Sequence, residues 1–138
     1  MEEKMKDKIK LPFRVIKEST LWKTFSEYIR RKYADKEGYA YCFTCGVKKH
    51  WKELQAGHYI SRGYKAVKYD ENNVRPQCIA DNLYRNGEPV KFRKNLVKEI
   101  GEQAVLELES KMDQPYKLTK YNIYELNEHF KTKLKELQ

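Results

Sequence analysis

No stretch of this chain approaches the ~20 consecutive apolar residues that a membrane-crossing helix requires. Its opening residues, MEEKMKDKIKLPFRVIK, also lack the apolar segment of a signal peptide. Both absences predict an intracellular protein with no membrane partner. Cysteine is scarce: three thiols, two of them in a Cys-x-x-Cys pair, suit reduced, metal-held sulfurs better than a disulfide framework. Internal repeats and low-complexity tracts are missing too, and 138 residues with 40% hydrophobic content are enough for one compact domain with appendages.

What the chain has in excess is positive charge. Lys and Arg number 29 against 20 Asp and Glu, a net +9, which serves solubility and also attracts a polyanion. Eleven tyrosines and two tryptophans are interspersed with the basic residues. Most suit a core or its rim, and some suit stacking on bases.

Residues 1–18 are charged and carry Pro12, and read as a basic arm. From Ser19 or Thr20, either a possible N-cap, LWKTFSEYIRRKY repeats apolar residues at helical spacing, giving an N-terminal helix within residues 19–37 with a basic end at Arg30, Arg31 and Lys32. Around Gly38 the pattern changes to GYAYCFTCG and LQAGHYISRG, two short strands with Cys42 and Cys45 on a turn. GYKAVKYDENNVRPQ reads as a loop, and a short helix runs from near Cys78 through IADNLYRNG to a stop at Asn86 and Gly87. Residues 38–88 form the expected core and 89–138 a helical region. In that region VKFRKNLVKEI ends at Gly101, EQAVLELESK follows, and a last helix from Thr119 aligns Ile123, Leu126, Phe130, Leu134 and Leu137 for docking on the domain or on a second subunit. The fold class is α+β.

Cys42-x-x-Cys45 and Cys78-x-x-Asp81 have the half-site spacing of a four-coordinate zinc knuckle, three thiolates and one carboxylate around a tetrahedral ion. The bland alternative has Asp81 capping a helix start, with His50 or water completing any metal site. His58 lies between the half-sites, and Asn82 directly follows the last. An imidazole that is neutral near pH 7 suits a general base, and an amide oxygen suits Mg²⁺ or Mn²⁺. On a basic surface, that pairing points to phosphodiester hydrolysis, in which a cation offsets charge on the phosphorane and the departing oxygen.

The order Cys-x-x-Cys, Gly-His, Asn-x-x-x-x-Cys-x-x-x-Asn resembles the HNH, or ββα-metal, nucleases, notably the knuckle-bearing kind typified by phage endonuclease VII. More specifically, LWKTFSEYIRR, YCFTCG, LQAGHYISRG, YDENNVRPQCIADNLYRNG and VKFRKNLVKEIG together are similar to the phage NinG family, also called Rap, over about residues 20–101. The resemblance implies a zinc-pinned ββα-metal core wrapped by N- and C-terminal helices. It implies a recombination endonuclease acting on branched DNA such as Holliday junctions and D-loops, in the cytoplasm of a bacterial host. It implies His58 as general base, Asn82 as ligand to a catalytic Mg²⁺ or Mn²⁺, Asn73 as a loop brace, and Cys42, Cys45, Cys78 and position 81 as zinc ligands. Arg62 is a candidate clamp on the scissile phosphate. Lys65, Lys68, Arg75 and Arg85 are further candidate contacts to the DNA backbone, as are Lys91, Arg93 and Lys94.

Two positions depart from those patterns. Gly57 stands where endonuclease VII-like proteins have a metal-binding aspartate, so Asp70 or Glu71 becomes a substitute ligand, or Asn82, water and DNA phosphate hold the ion. Asp81 stands where the NinG pattern has cysteine, so it either binds zinc by oxygen, the preferred role, or serves the catalytic ion beside a degenerate knuckle. A junction needs two symmetric cuts, which favours a twofold homodimer, with the last helix a candidate interface. The alternatives are an HNH nickase on duplex DNA and a non-catalytic, zinc-stabilised DNA-binding mediator.

Overall fold

The computed structural model describes residues 11–137, so residues 1–10 of the expected arm lie outside the described residues. The element order is α1 (Glu18–Lys32), β1 (Tyr39–Tyr41), β2 (Lys48–His50), β3 (Gln55–His58), β4 (Val74–Gln77), a short π-helix (Ala80–Tyr84), α2 (Pro89–Ile100), α3 (Glu102–Ser110) and α4 (Lys120–Glu136). The class is α+β. Two antiparallel pairs form the sheets, β1 with β2 and β3 with β4. In the second pair Gln55 faces Gln77, Gly57 faces Arg75 and His58 faces Val74.

Helix α1 forms because Leu21, Phe25, Tyr28 and Ile29 recur on one face, and that face is buried. It packs against Phe130 of α4 and against Ala56, Tyr69 and Val74, with Ile123, Leu126 and Leu134 at the edge. The stripe of α4 therefore docks on its own chain. Thr119 caps α4 in a reciprocal capping box with Asn122. Neither Ser19 nor Thr20 caps α1. The helix starts one residue earlier, after Lys17, with no side-chain cap, because Glu18 is anchored by the Lys68 ammonium and the Tyr69 hydroxyl. An acid in the first turn also suits the helix dipole. Phe13 lies against Tyr121 and Tyr124 of α4.

The stretch expected to be a loop contains β4. Val74, Arg75, Pro76 and Gln77 carry no hydrophobic alternation, and proline ordinarily argues against an inner strand. Here all four are buried, and the Pro76 carbonyl accepts from Phe43 N–H on the side away from β3. A second cluster, of Phe92, Leu96, Val105 and Leu108, joins α2 to α3 around Ile60 and Val67. Gly101 breaks the two helices apart at φ +91°.

Candidate metal cluster and adjoining cleft

The turn after β1 and the π-helix after β4 face each other, and they bring Cys42, Cys45, Cys78 and Asp81 together with all their ligand atoms within 4.8 Å of one another. Tetrahedral zinc, with bonds of about 2.3 Å to sulfur and about 2.0 Å to oxygen, sets two sulfurs about 3.8 Å apart and a sulfur and an oxygen about 3.5 Å apart. Cys45 Sγ and Cys78 Sγ are 3.7 Å apart, and Cys42 Sγ and Asp81 Oδ2 are 3.6 Å apart. The donor set can hold a metal ion and fits zinc. All three cysteines are free thiols. His50 is not in this group; its Nδ1 accepts from Lys52 N–H and its ring lies beside Tyr39 and Trp51.

Asp81 does not cap a helix. Its Oδ2 accepts from the Thr44 hydroxyl at 2.6 Å and its Oδ1 from Arg85 Nη1 at 2.7 Å. Burial raises its pKa, but those donors outweigh it and hold the carboxyl below its ordinary range. Partial desolvation, with the adjoining Cys42 and Cys78 sulfurs, pushes the thiol of Cys45, the one exposed member of the group, up to about 12. A divalent cation among these donors would relieve that penalty and let the thiolates form.

Across the π-helix lies an open cleft of about 870 Å³ whose wall includes Trp22, Gln55, His58, Arg62, Asn82 and Leu83. His58 ends β3. Its Nε2 is 2.9 Å from the Lys68 carbonyl oxygen. A carbonyl only accepts, so Nε2 carries the proton and the neutral ring presents Nδ1 as its lone-pair nitrogen. The ring stacks on Trp22 at 5.4 Å. Burial, opposed by that carbonyl and aided by the Arg62 and Lys68 charges, pushes the His58 pKa down to about 4, so the ring is neutral at neutral pH. Asn82 donates its amide N–H to Gln55 Oε1 at 2.6 Å, and among the described residues its own amide oxygen has no hydrogen-bond donor.

The loop between β3 and β4 is closed by Asn73, wholly buried, which accepts from Ile60 N–H and donates to the Ile60 and Val67 carbonyls at 2.7, 2.9 and 3.0 Å. It supports the strand that carries His58 and does not line the cleft.

Other expected contacts fall elsewhere. Asp70 caps a single turn through Asn72 N–H and pairs with Lys111, while Glu71 accepts from Tyr28 and Lys32. Neither reaches the cleft, so neither replaces the acid missing at Gly57. Gly57 itself has no room for one, because a Cβ there would overlap the Gln77 amide oxygen. No carboxylate lines the cleft among the described residues.

Arg75 is corrected outright as a DNA contact. Only 2% exposed, it lies between Tyr33 and Phe43 and donates to Glu99 and to the Glu71 and Val74 carbonyls. Arg93 is held by Glu102 and Glu109, and Lys68 is largely covered in its pair with Glu18, so the charges of both are already compensated. Lys65, Arg85 and Lys91 are exposed with one acidic partner each. Arg62 and Lys94 are exposed and make no ion pair among the described residues.

Sequence reasoning missed Trp22, Gln55 and Thr44. Trp22 reads as part of an apolar stripe. Gln55 and Thr44 act only through partners distant in the chain, and no local pattern points to them.

A family model described as "Bacteriophage Lambda NinG protein" matches residues 2–138. The chain is similar to the ninG proteins of Escherichia phage 933W (28% identical), Escherichia phage lambda (27%) and Salmonella phage P22 (28%), each over 96% of this chain. It spans 66%, 65% and 65% of their respective lengths. No solved structure is significantly similar. Matched by the family pattern over almost its whole length and aligned along 96% of it with these phage proteins, the chain belongs to the bacteriophage NinG family.

Proposed function

We propose that this protein is a metal-dependent endonuclease of the HNH, ββα-metal kind, which cuts DNA at branches such as Holliday junctions during phage recombination in the host cytoplasm. The observation that carries the reading is His58: a neutral imidazole, held in one tautomer by the Lys68 carbonyl and backed by Trp22, whose cleft also contains Asn82 and Arg62. The β3–β4 pair followed by the π-helix has the strand, strand, helix order of that superfamily. The cysteine cluster joins the β1–β2 turn to the π-helix and gives the cleft a fixed wall.

In this reading His58 Nδ1 takes the proton of the attacking water, a step that typically accelerates reactions by about 10² to 10⁴. Arg62 neutralises the scissile phosphate, and Asn82 offers one oxygen to a divalent ion. A bound Mg²⁺ or Mn²⁺ would offset charge on the phosphorane and the departing oxygen. With no carboxylate on the wall, the protein alone would hold that ion weakly, and DNA phosphate would complete the site.

The same lack of a carboxylate favours a second reading, a zinc-stabilised DNA-binding protein without catalysis. Incubation with a labelled four-way junction and a matched linear duplex, in Mg²⁺, Mn²⁺ or EDTA, separates them. Metal-dependent cutting of the junction in preference to the duplex supports the nuclease. Equal cutting makes it a duplex nickase, and binding without cutting supports the second reading.

A further inference from the structure

Beyond its metal ligand and cleft residue, the π-helix carries two large side chains with no place in any core. Tyr84 is 81% exposed, more than any other large hydrophobic residue described, and Leu83 is 57% exposed. Leu83 lies on the cleft wall with Asn82 and Pro89, and Val90 adds exposed apolar surface where α2 begins. π-Helical turns are rare and concentrate at functional sites, and this one exposes an aromatic ring to water at the residue that follows Leu83 of the cleft wall. Basic side chains rim the ridge, two of them ion-paired. Arg85 and Lys91 are exposed at 57% and 61%, and Arg62 stands on the cleft wall. Arg85 is paired with buried Asp81 and Lys91 with Glu88, and Arg62 makes no ion pair among the described residues.

An apolar ridge with an aromatic face and a cationic rim matches a nucleobase joined to phosphate. The base covers the ring and the phosphates meet the Arg and Lys side chains. A paired duplex keeps its bases stacked and offers such a ridge only sugar and phosphate, whereas stacking is already interrupted where strands branch. Resting on the nuclease reading above, we propose that Leu83 and Tyr84 form a stacking ridge that receives an unstacked nucleobase at a DNA branch point, and that this contact is the source of preference for branched over linear DNA.

The test uses the full chain, in EDTA, with a four-way junction carrying 2-aminopurine at the branch point or within one arm, and a linear duplex of the same sequence. Wild type should change the fluorescence of the branch-point probe and leave the arm probe unchanged. Tyr84→Ala and Leu83→Ala should abolish that change and weaken junction binding about tenfold, with duplex binding within about twofold, as expected for loss of one base–aromatic contact. Tyr84→Phe should retain both. These side chains are exposed, so an unaltered circular dichroism spectrum is expected for each variant.

Wild type that binds none of these DNAs overturns the nuclease reading and this ridge with it. Wild type that binds the junction in EDTA and cuts it once Mg²⁺ is added, with variants whose junction preference is intact, overturns the ridge alone. So does a Tyr84→Ala protein that sediments as a smaller species than wild type with its junction preference unchanged, since the ridge would then join two copies of this chain.

Discussion

Asp81 and Asn82 are neighbours on one turn, yet their surroundings differ in kind. Asp81 is 2% exposed, with Thr44 and Arg85 each donating to one carboxylate oxygen and three sulfurs close by. Asn82 gives its N–H to Gln55 and leaves its oxygen on the wall of an open cleft. The closed side is a complete donor set that needs only an ion. The open side carries an imidazole and an amide oxygen but no acid, and in the proposed reading DNA phosphate supplies the rest. Placing both on a single turn means that the order of the cluster sets the position of the cleft.

That comparison is broken most severely from the closed side. Cys78→Ala removes a ligand and a core residue together, and structural zinc sites contribute folding energy outright. Measured by atomic absorption and thermal melting, the variant should lose bound zinc and its cooperative transition. On the open side, Gly57→Asp places an acid at the position where the endonuclease VII pattern carries one, but drives it into the Gln77 amide. Overpacking of this kind costs about 1–3 kcal/mol, so a lowered melting temperature and no gain in cleavage are expected. Gly57→Asp with Gln77→Ala should recover much of the lost stability.

Thr44→Val probes the link between the two sides, because its hydroxyl donates to Asp81 and accepts from Gln77. Loss of such a supporting hydrogen bond should weaken zinc binding by about 10- to 100-fold in chelator competition.

The pH dependence of the open side should be smaller. The folded His58 pKa of about 4 lies below the ordinary 6.5, so between those values the unfolded chain binds more protons than the folded one. Stability is therefore full above pH 6.5 and falls as pH drops toward 4. The loss is ~1–2 kcal/mol, allowing for the ring's partial exposure, and denaturant midpoints of wild type and His58→Gln should converge at low pH. Least disruptive is Arg62→Ala, which should leave folding intact and lower the salt dependence of DNA binding by about one phosphate contact. Arg75→Ala, by contrast, should destabilise the fold.

The closed side was legible because its information is local: ligands three residues apart on two turns announce a knuckle without knowledge of the fold. The helix start at Thr119, the stop at Gly101 and the apolar stripes of α1, α2 and α4 are local in the same sense. β4 was hidden because Val74–Gln77 is buried on both faces and interrupted by Pro76, so it shows no alternation to detect. Arg75 and the Asp70–Glu71 pair were misassigned because charge in a sequence does not reveal its partner, and Glu99, Lys111 and Tyr28 are each at least 24 positions away. The tautomer of His58 depends on the carbonyl of Lys68, and no side-chain pattern encodes a backbone oxygen.

The central claim, that a neutral His58 fixed by that carbonyl removes the proton from water, is tested most directly by single-turnover cleavage of a four-way junction by wild type and His58→Ala, with junction affinity measured in parallel. Affinity within about twofold and a cleavage rate lower by about 10² to 10⁴ are the results expected from loss of a positioned base. Equal cleavage rates in the two proteins would contradict the account.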